Sequence, residues 1–167
     1  CIDYNPTKPH VISTGGQDGS IKFWDVRKAN SSSSSNHDDH FHSSSSSFKS
    51  TTTSTNNHYN YNRYHRPIYS VRGGHSHWIS KIAYNPHHDQ LIASVGTDAL
   101  VNLWRMSSIS SSPLLEDGAS NMRVSYYNQH QDAVYGLAWG GAADAWLYAT
   151  AGYDGNVVLH HVPSKEK

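Results

Sequence analysis

With one cysteine among its 167 residues, the chain can close no internal disulfide, which suits a reducing compartment. An excess of charge of either sign is missing too. Thirteen Lys plus Arg balance thirteen Asp plus Glu, and no basic run is interleaved with aromatics, so the electrostatic footprint of a nucleic-acid backbone or an anionic membrane is absent. The one long apolar stretch, 133–152, is broken by Gly140, Gly141 and Asp144, and its alternating ends read as two strands and a turn rather than a membrane span. No Gly-x-Ser-x-Gly elbow, nucleotide loop, paired catalytic carboxylates or metal constellation is found, so no catalysis, cofactor, metal or small-molecule substrate is expected. No secretory signal is recognisable. The start at Cys1, inside an apparent inner strand, reads as the C-terminal piece of something longer.

What the chain does have is one pattern written three times, at 11–25, 91–105 and 147–161. Each copy runs through an apolar strand ending in Thr14, Ser94 or Thr150 and a tight turn at Asp18, Asp98 or Asp154. An alternating strand follows, closing on an aromatic ring: Trp24, Trp104 or His160. These are tandem β-hairpins, and they resemble the WD40 repeat of β-propellers, an all-β architecture whose usual work is docking rather than catalysis. The expected fold is a propeller fragment of one partial and two nearly complete blades. Such an open set exposes strand edges and apolar blade faces, so the isolated chain is expected to be marginally stable or to aggregate.

Residues 1–28 form the partial blade, with an Asn5-Pro6 turn between its strands. The stretch 29–66 is Ser, Thr, Asn and His with almost no aliphatic residue, so burial cannot offset its chain entropy and it reads as a disordered insertion. A blade over 67–105 follows, with a short outer strand at 68–71, an inner strand at 79–84 and a second Asn-Pro turn at Asn85-Pro86. A polar connection covers 106–122. The last blade, 123–163, has strands expected at 124–127, 134–139, 146–151 and 157–161, and 164–167 is a tail. The marker aspartates lie 80 and 56 residues apart, whereas such a repeat occupies about 40–45. Both excesses fall after the third strand, which places the insertions on equivalent loops away from the His and Asp turns.

In the middle repeat, His75, Ser94, Asp98 and Trp104 stand where WD40 blades place a buried hydrogen-bond tetrad: carboxylate to imidazole to hydroxyl to indole. The last repeat offers His130, Thr150, Asp154 and His160. There an imidazole replaces the indole, fills less space and is expected to titrate nearer neutrality. The first retains Thr14, Asp18 and Trp24. Ser, His and Asp together suggest a hydrolase triad, but the trio recurs with the repeat and is read as structural. The histidines at 37, 40, 42, 58 and 65 match no closed metal site and have no cysteine partners. His77 and Trp78, on the loop into an inner strand, and Tyr135, just after the matching position of the last blade, are candidate protein-contact residues.

Several stretches carry a narrower resemblance. His75-Ser76-His77-Trp78, Tyr84 through Leu91, Met106 through Pro113, Gln131 through Tyr135, Ala145 through Ala149 and Tyr153-Asp154-Gly155 are similar to the C-terminal part of the family of EARP and GARP complex-interacting proteins. The resemblance implies a seven-bladed propeller in the full-length parent and a noncatalytic scaffold. It would contact protein subunits of the endosome-associated recycling and Golgi-associated tethering complexes in vesicle traffic, from the cytoplasm at endosomes and the trans-Golgi network, without membrane insertion. The tract 29–66 has no counterpart in that family. A different reading, a substrate receptor of a cullin-type ubiquitin ligase, rests on the run Trp24-Asp25-Val26-Arg27, itself an extension of the repeat's own ending.

Overall fold

The structure, a computed structural model, describes residues 1–29, 66–111 and 121–166. Most of the insertion at 29–66, its five histidines and Pro113 lie outside these residues. Eleven strands are described: β1 (Ile2–Tyr4), β2 (Val11–Gly15), β3 (Ile21–Asp25), β4 (Tyr69–Val71), β5 (Ile79–Tyr84), β6 (Leu91–Gly96), β7 (Val101–Arg105), β8 (Met122–Tyr127), β9 (Val134–Trp139), β10 (Leu147–Gly152) and β11 (Val157–His161). They form three antiparallel sheets in the orders β1-β2-β3-β4, β5-β6-β7-β8 and β9-β10-β11.

The three hairpins share one register: Val11 faces Asp25, Leu91 faces Arg105 and Leu147 faces His161. The marker aspartate sets the turn in each. Its Oδ1 accepts the N–H two residues on, from Ser20 at 3.1 Å, Leu100 at 3.2 Å and Asn156 at 3.0 Å, an Asx turn that reverses the chain together with a backbone hydrogen bond from Gly16 to Ser20, Gly96 to Leu100 or Gly152 to Asn156. The residue after the aspartate is left-handed, with φ of +66° at Gly19, +62° at Ala99 and +79° at Gly155. The middle repeat alone places a side chain in that conformation.

Two strands join sheets other than those the repeat boundaries at 67 and 123 assign. Tyr69–Val71 pairs with β3 and completes the first sheet, and Met122–Tyr127, expected to open the last blade, pairs with β7 and completes the second. The reason is that the sequence repeat starts on an outer strand, which hydrogen-bonds backwards onto the preceding hairpin, whereas the inner strand that follows starts the next sheet. The third sheet accordingly has three strands among the described residues.

The core lies between the sheets. Val11, Ile21 and Phe23 of the first sheet pack on Ile82, Ile92 and Trp104 of the second, while Leu91, Ala93, Val95 and Leu103 of the second pack on Val134, Leu137 and Tyr148 of the third. Every residue of β6 is buried, which is why its sequence is nearly continuously apolar rather than alternating. The outer sheets each keep one apolar face open: Ile2 and Tyr4 in the first, and Val157 and Leu159, 70% and 63% exposed, in the third.

Candidate functional site

The His and Asp positions gather at one end of the sheets. β5 pairs with β6 so that Ile79 faces Gly96, which brings the 72–78 loop beside the 97–100 turn. In the third sheet Val134 faces Gly152, bringing 128–133 beside 153–156. The first sheet is tied to the same end by the hydrogen bond from Ile79 N–H to the Gly16 carbonyl at 3.2 Å. The Asn5-Pro6 and Asn85-Pro86 turns and the residues flanking both insertions lie at the opposite end. There Asn85 Nδ2 donates to the Ala145 carbonyl at 2.6 Å, and Asp89 binds Thr7 Oγ1 and the Ser111 amide, stitching successive sheets together.

In the second sheet His75 Nδ1 lies 3.0 Å from Asp98 Oδ1, His75 Nε2 lies 2.9 Å from Ser94 Oγ, and Trp104 Nε1–H donates to Ser94 Oγ at 2.8 Å. One proton arrangement satisfies all four groups: Nδ1–H donates to Asp98, Ser94 O–H donates to Nε2, and the indole donates to the hydroxyl oxygen. The Asp98 carboxylate also accepts from the Ser76 and Leu100 amides. Burial alone would raise its pKa, but the hydrogen bonds from His75 and the Ser76 amide prevail and hold it below the ordinary carboxylate value. Gly96 leaves the room this needs, because a Cβ there would lie 2.6 Å from Asp98 Oδ1 and 2.7 Å from His75 Nδ1.

The third sheet repeats the arrangement. His130 Nδ1 is 3.2 Å from Asp154, His130 Nε2 is 2.9 Å from Thr150 Oγ1, and His160 Nε2 is 2.8 Å from the same oxygen. His160 thus takes the donor role of the indole, but it does not titrate near neutrality. Burial, with a smaller contribution from His130, pushes it down to about 4, so it stays uncharged. The backbone amides of Gln131 and Asn156 hold the Asp154 carboxyl well below its usual range. In the first sheet Trp24 Nε1–H donates to Thr14 Oγ1 at 2.9 Å, while Asp18, with no imidazole beside it among the described residues, binds Ser20 Oγ at 2.7 Å and Lys22 Nζ at 2.9 Å.

Chemically these sets are closed. Ser94 is 0% exposed and Thr150 1%, and each hydroxyl oxygen is already committed to an imidazole on one side and an N–H donor on the other. A substrate carbonyl has no approach to either oxygen.

The exposed chemistry at this end is aromatic. His77 and Trp78 stack, ring centroids 5.6 Å apart, and His77 is held by Thr97 Oγ1. Trp78 is 48% exposed and Tyr135 56%, and Tyr153, which the sequence did not single out as a contact residue, is exposed 79%. Nothing in its local pattern, the turn residue beside Asp154, distinguishes Tyr153 from ordinary turn filler. At the opposite end of β3, Arg27 is bound back onto Asp25 at 2.7 Å, so the Trp-Asp-x-Arg run forms a closed local turn. Two polar residues outside the repeat pattern also stand out: the fully buried Asn102, whose Nδ2 donates to the Gly74 carbonyl at 3.0 Å, and Arg123, which reaches its Oδ1 at 3.4 Å.

The family model described as WD domain, G-beta repeat matches residues 1–25 and 66–105. The chain is 28% identical over 182 residues to EARP and GARP complex-interacting protein 1 of Homo sapiens, covering 97% of this chain and 38% of that protein. It is 27% identical over 180 residues to EARP-interacting protein 1 of Caenorhabditis elegans, covering 99% and 40%. Over a shorter stretch of 95 residues it is 42% identical to WD repeat-containing protein DWA2 of Arabidopsis thaliana, covering 53% and 27%. It therefore spans about two fifths of the length of the EARP-interacting relatives. A chain from the crystal structure of the mitotic checkpoint complex superposes with a TM-score of 0.53 at 23% identity, over 91% of this chain and 32% of that one, a likeness of fold.

Proposed function

We infer that this chain, which matches the WD40 repeat model over residues 1–25 and 66–105 and is similar along nearly its whole length to the EARP and GARP complex-interacting proteins, is a noncatalytic adaptor. It works by presenting a docking face to a vesicle-tethering complex. The observation that carries this reading is the division of labour at one end of the sheets. The Ser, His and Asp groups are buried and mutually satisfied, while Trp78, Tyr135 and Tyr153 stand open to solvent. Exposed aromatics supply large contact area at low entropic cost, which is what a protein hot spot needs. The partners are subunits of the endosome-associated recycling tether and the related Golgi-associated tether. The site of action is the cytoplasmic surface of endosomes and the trans-Golgi network.

Affinity purification of the full-length protein with mass spectrometry tests this. Tether subunits should co-elute with the parent protein and fall away in a Trp78→Ala, Tyr135→Ala variant of unchanged stability. An eluate without them counts against the reading, and a ubiquitin-ligase adaptor in their place would support the reading built on Trp24 to Arg27.

A further inference from the structure

A second surface lies between the outer strands of the first two sheets. Between β4 and β8, the outermost strands of the first two sheets, runs a groove of about 380 Å³ lined by Tyr69, Val71, Arg72, Trp104, Met122 and Arg123 among others. Its charge is one-sided. Residues 66–88 and 121–131, which include both outer strands, contain no Asp or Glu, although the chain as a whole is neutral. Arg123 is held in place: its guanidinium lies 5.1 Å from the centre of the Tyr126 ring and meets the buried Asn102, itself fixed by the Gly74 carbonyl.

We propose that this groove binds an extended acidic segment of a partner protein, carboxylates on Arg72 and Arg123 and an apolar side chain against Val71 and Met122. A guanidinium fork matches a carboxylate with paired N–H donors and loses little freedom when it is already laid on an aromatic face. The volume sits near the lower end of ligand pockets, roughly 300–1,000 Å³, and suits a few side chains rather than a folded domain. Among the described residues both lining strands also end their sheets, leaving backbone N–H and C=O groups for an extended chain. Two guanidiniums without a longer basic stripe fall short of what a nucleic-acid backbone or an anionic bilayer requires. Trp78, Tyr135 and Tyr153 do not line it.

The test uses a fluorescein-labelled peptide of repeated glutamate, serine and leucine, a matching peptide with glutamine for glutamate, and phosphatidylserine vesicles, each titrated against the full-length protein. The glutamate peptide should bind, with affinity falling as salt rises. Its affinity should drop at least about tenfold both for the glutamine peptide and for an Arg72→Glu, Arg123→Glu variant, and stay unchanged for Trp78→Ala. Saturating glutamate peptide should also slow oxidation of Met122 in radical footprinting, a readout that holds if the double variant fails to fold. No binding up to millimolar peptide, equal binding of the glutamine peptide, preference for vesicles, or an unprotected Met122 would overturn the proposal.

Discussion

Replacing Asp98 and Asp18 by alanine makes the same cut in two repeats, and the costs should differ because, among the described residues, only Asp98 of the two holds a histidine. The Asp98 side chain is 5% exposed and accepts from His75, whose side chain is fully buried. Alanine there strands the imidazole N–H without an acceptor, a loss of about 1–3 kcal/mol. The Ser76 and Leu100 amides also lose their acceptor, but water reaches this turn, so their share is smaller and the total comes to about 2–4 kcal/mol. The Asp18 side chain is 46% exposed and binds Ser20 and Lys22. Exposed pairs of that kind contribute about 0–1 kcal/mol. With a urea slope of about 1–3 kcal/mol per molar, the two unfolding midpoints should separate by on the order of 1 M. Tryptophan fluorescence during equilibrium unfolding reads both. Coincident midpoints, or an Asp98→Ala variant as stable as the parent, would refute the structural role of the tetrad.

Three other outcomes follow from the same geometry. His160 is held uncharged down to about pH 4 by burial, whereas the unfolded chain protonates near its ordinary value of 6.5. The unfolded state therefore binds the extra proton between those values, so stability is full above about pH 6.5 and declines as the pH falls toward 4. His160→Gln keeps a donor for Thr150 and should flatten that decline in unfolding curves, while an unchanged slope would contradict it. Ala99 sits at φ +62°, a conformation that costs a non-glycine residue about 1–2 kcal/mol, partly offset by the extra unfolded-state freedom of glycine, so Ala99→Gly should stabilise by about 0.5–1 kcal/mol. A lower unfolding midpoint would show that the turn carries no strain. Finally, Val157→Lys with Leu159→Lys, on the open face of the third sheet, should cut binding of an anilinonaphthalene dye and aggregation while moving stability by no more than about 0.5 kcal/mol per site. Undiminished dye binding would mean that the apolar surface lies elsewhere.

The hairpins were legible in the sequence because period-two alternation, a glycine and an aspartate recur at fixed offsets, and local chemistry alone decides such turns. His75, Ser94, Asp98 and Trp104 could be assembled on paper because the repeat carries them as a unit. What sequence reasoning misplaced depends on long-range pairing. β4 and β8 each return to the preceding hairpin after an insertion, and a short strand such as Tyr69–Val71 carries no mark of which neighbour it will bond. Asn102 escaped notice for a related reason: its equivalents by register are Lys22 and Val158, so no repeat pattern flags it, and only the approach of Gly74 and Arg123 makes it a hinge of the polar network. The lowered pKa of His160 likewise comes from packing, with the rings of Tyr127 and Tyr148 against it at 4.7 and 4.9 Å.

The most direct test is site-specific photo-crosslinking in the full-length protein, with the photoreactive residue in place of either His77 or His87, both exposed but at opposite ends of β5. Tether subunits should be captured from position 77 and not from position 87. Capture from 87 alone, or from both equally, would contradict docking through the aromatic end of the sheets.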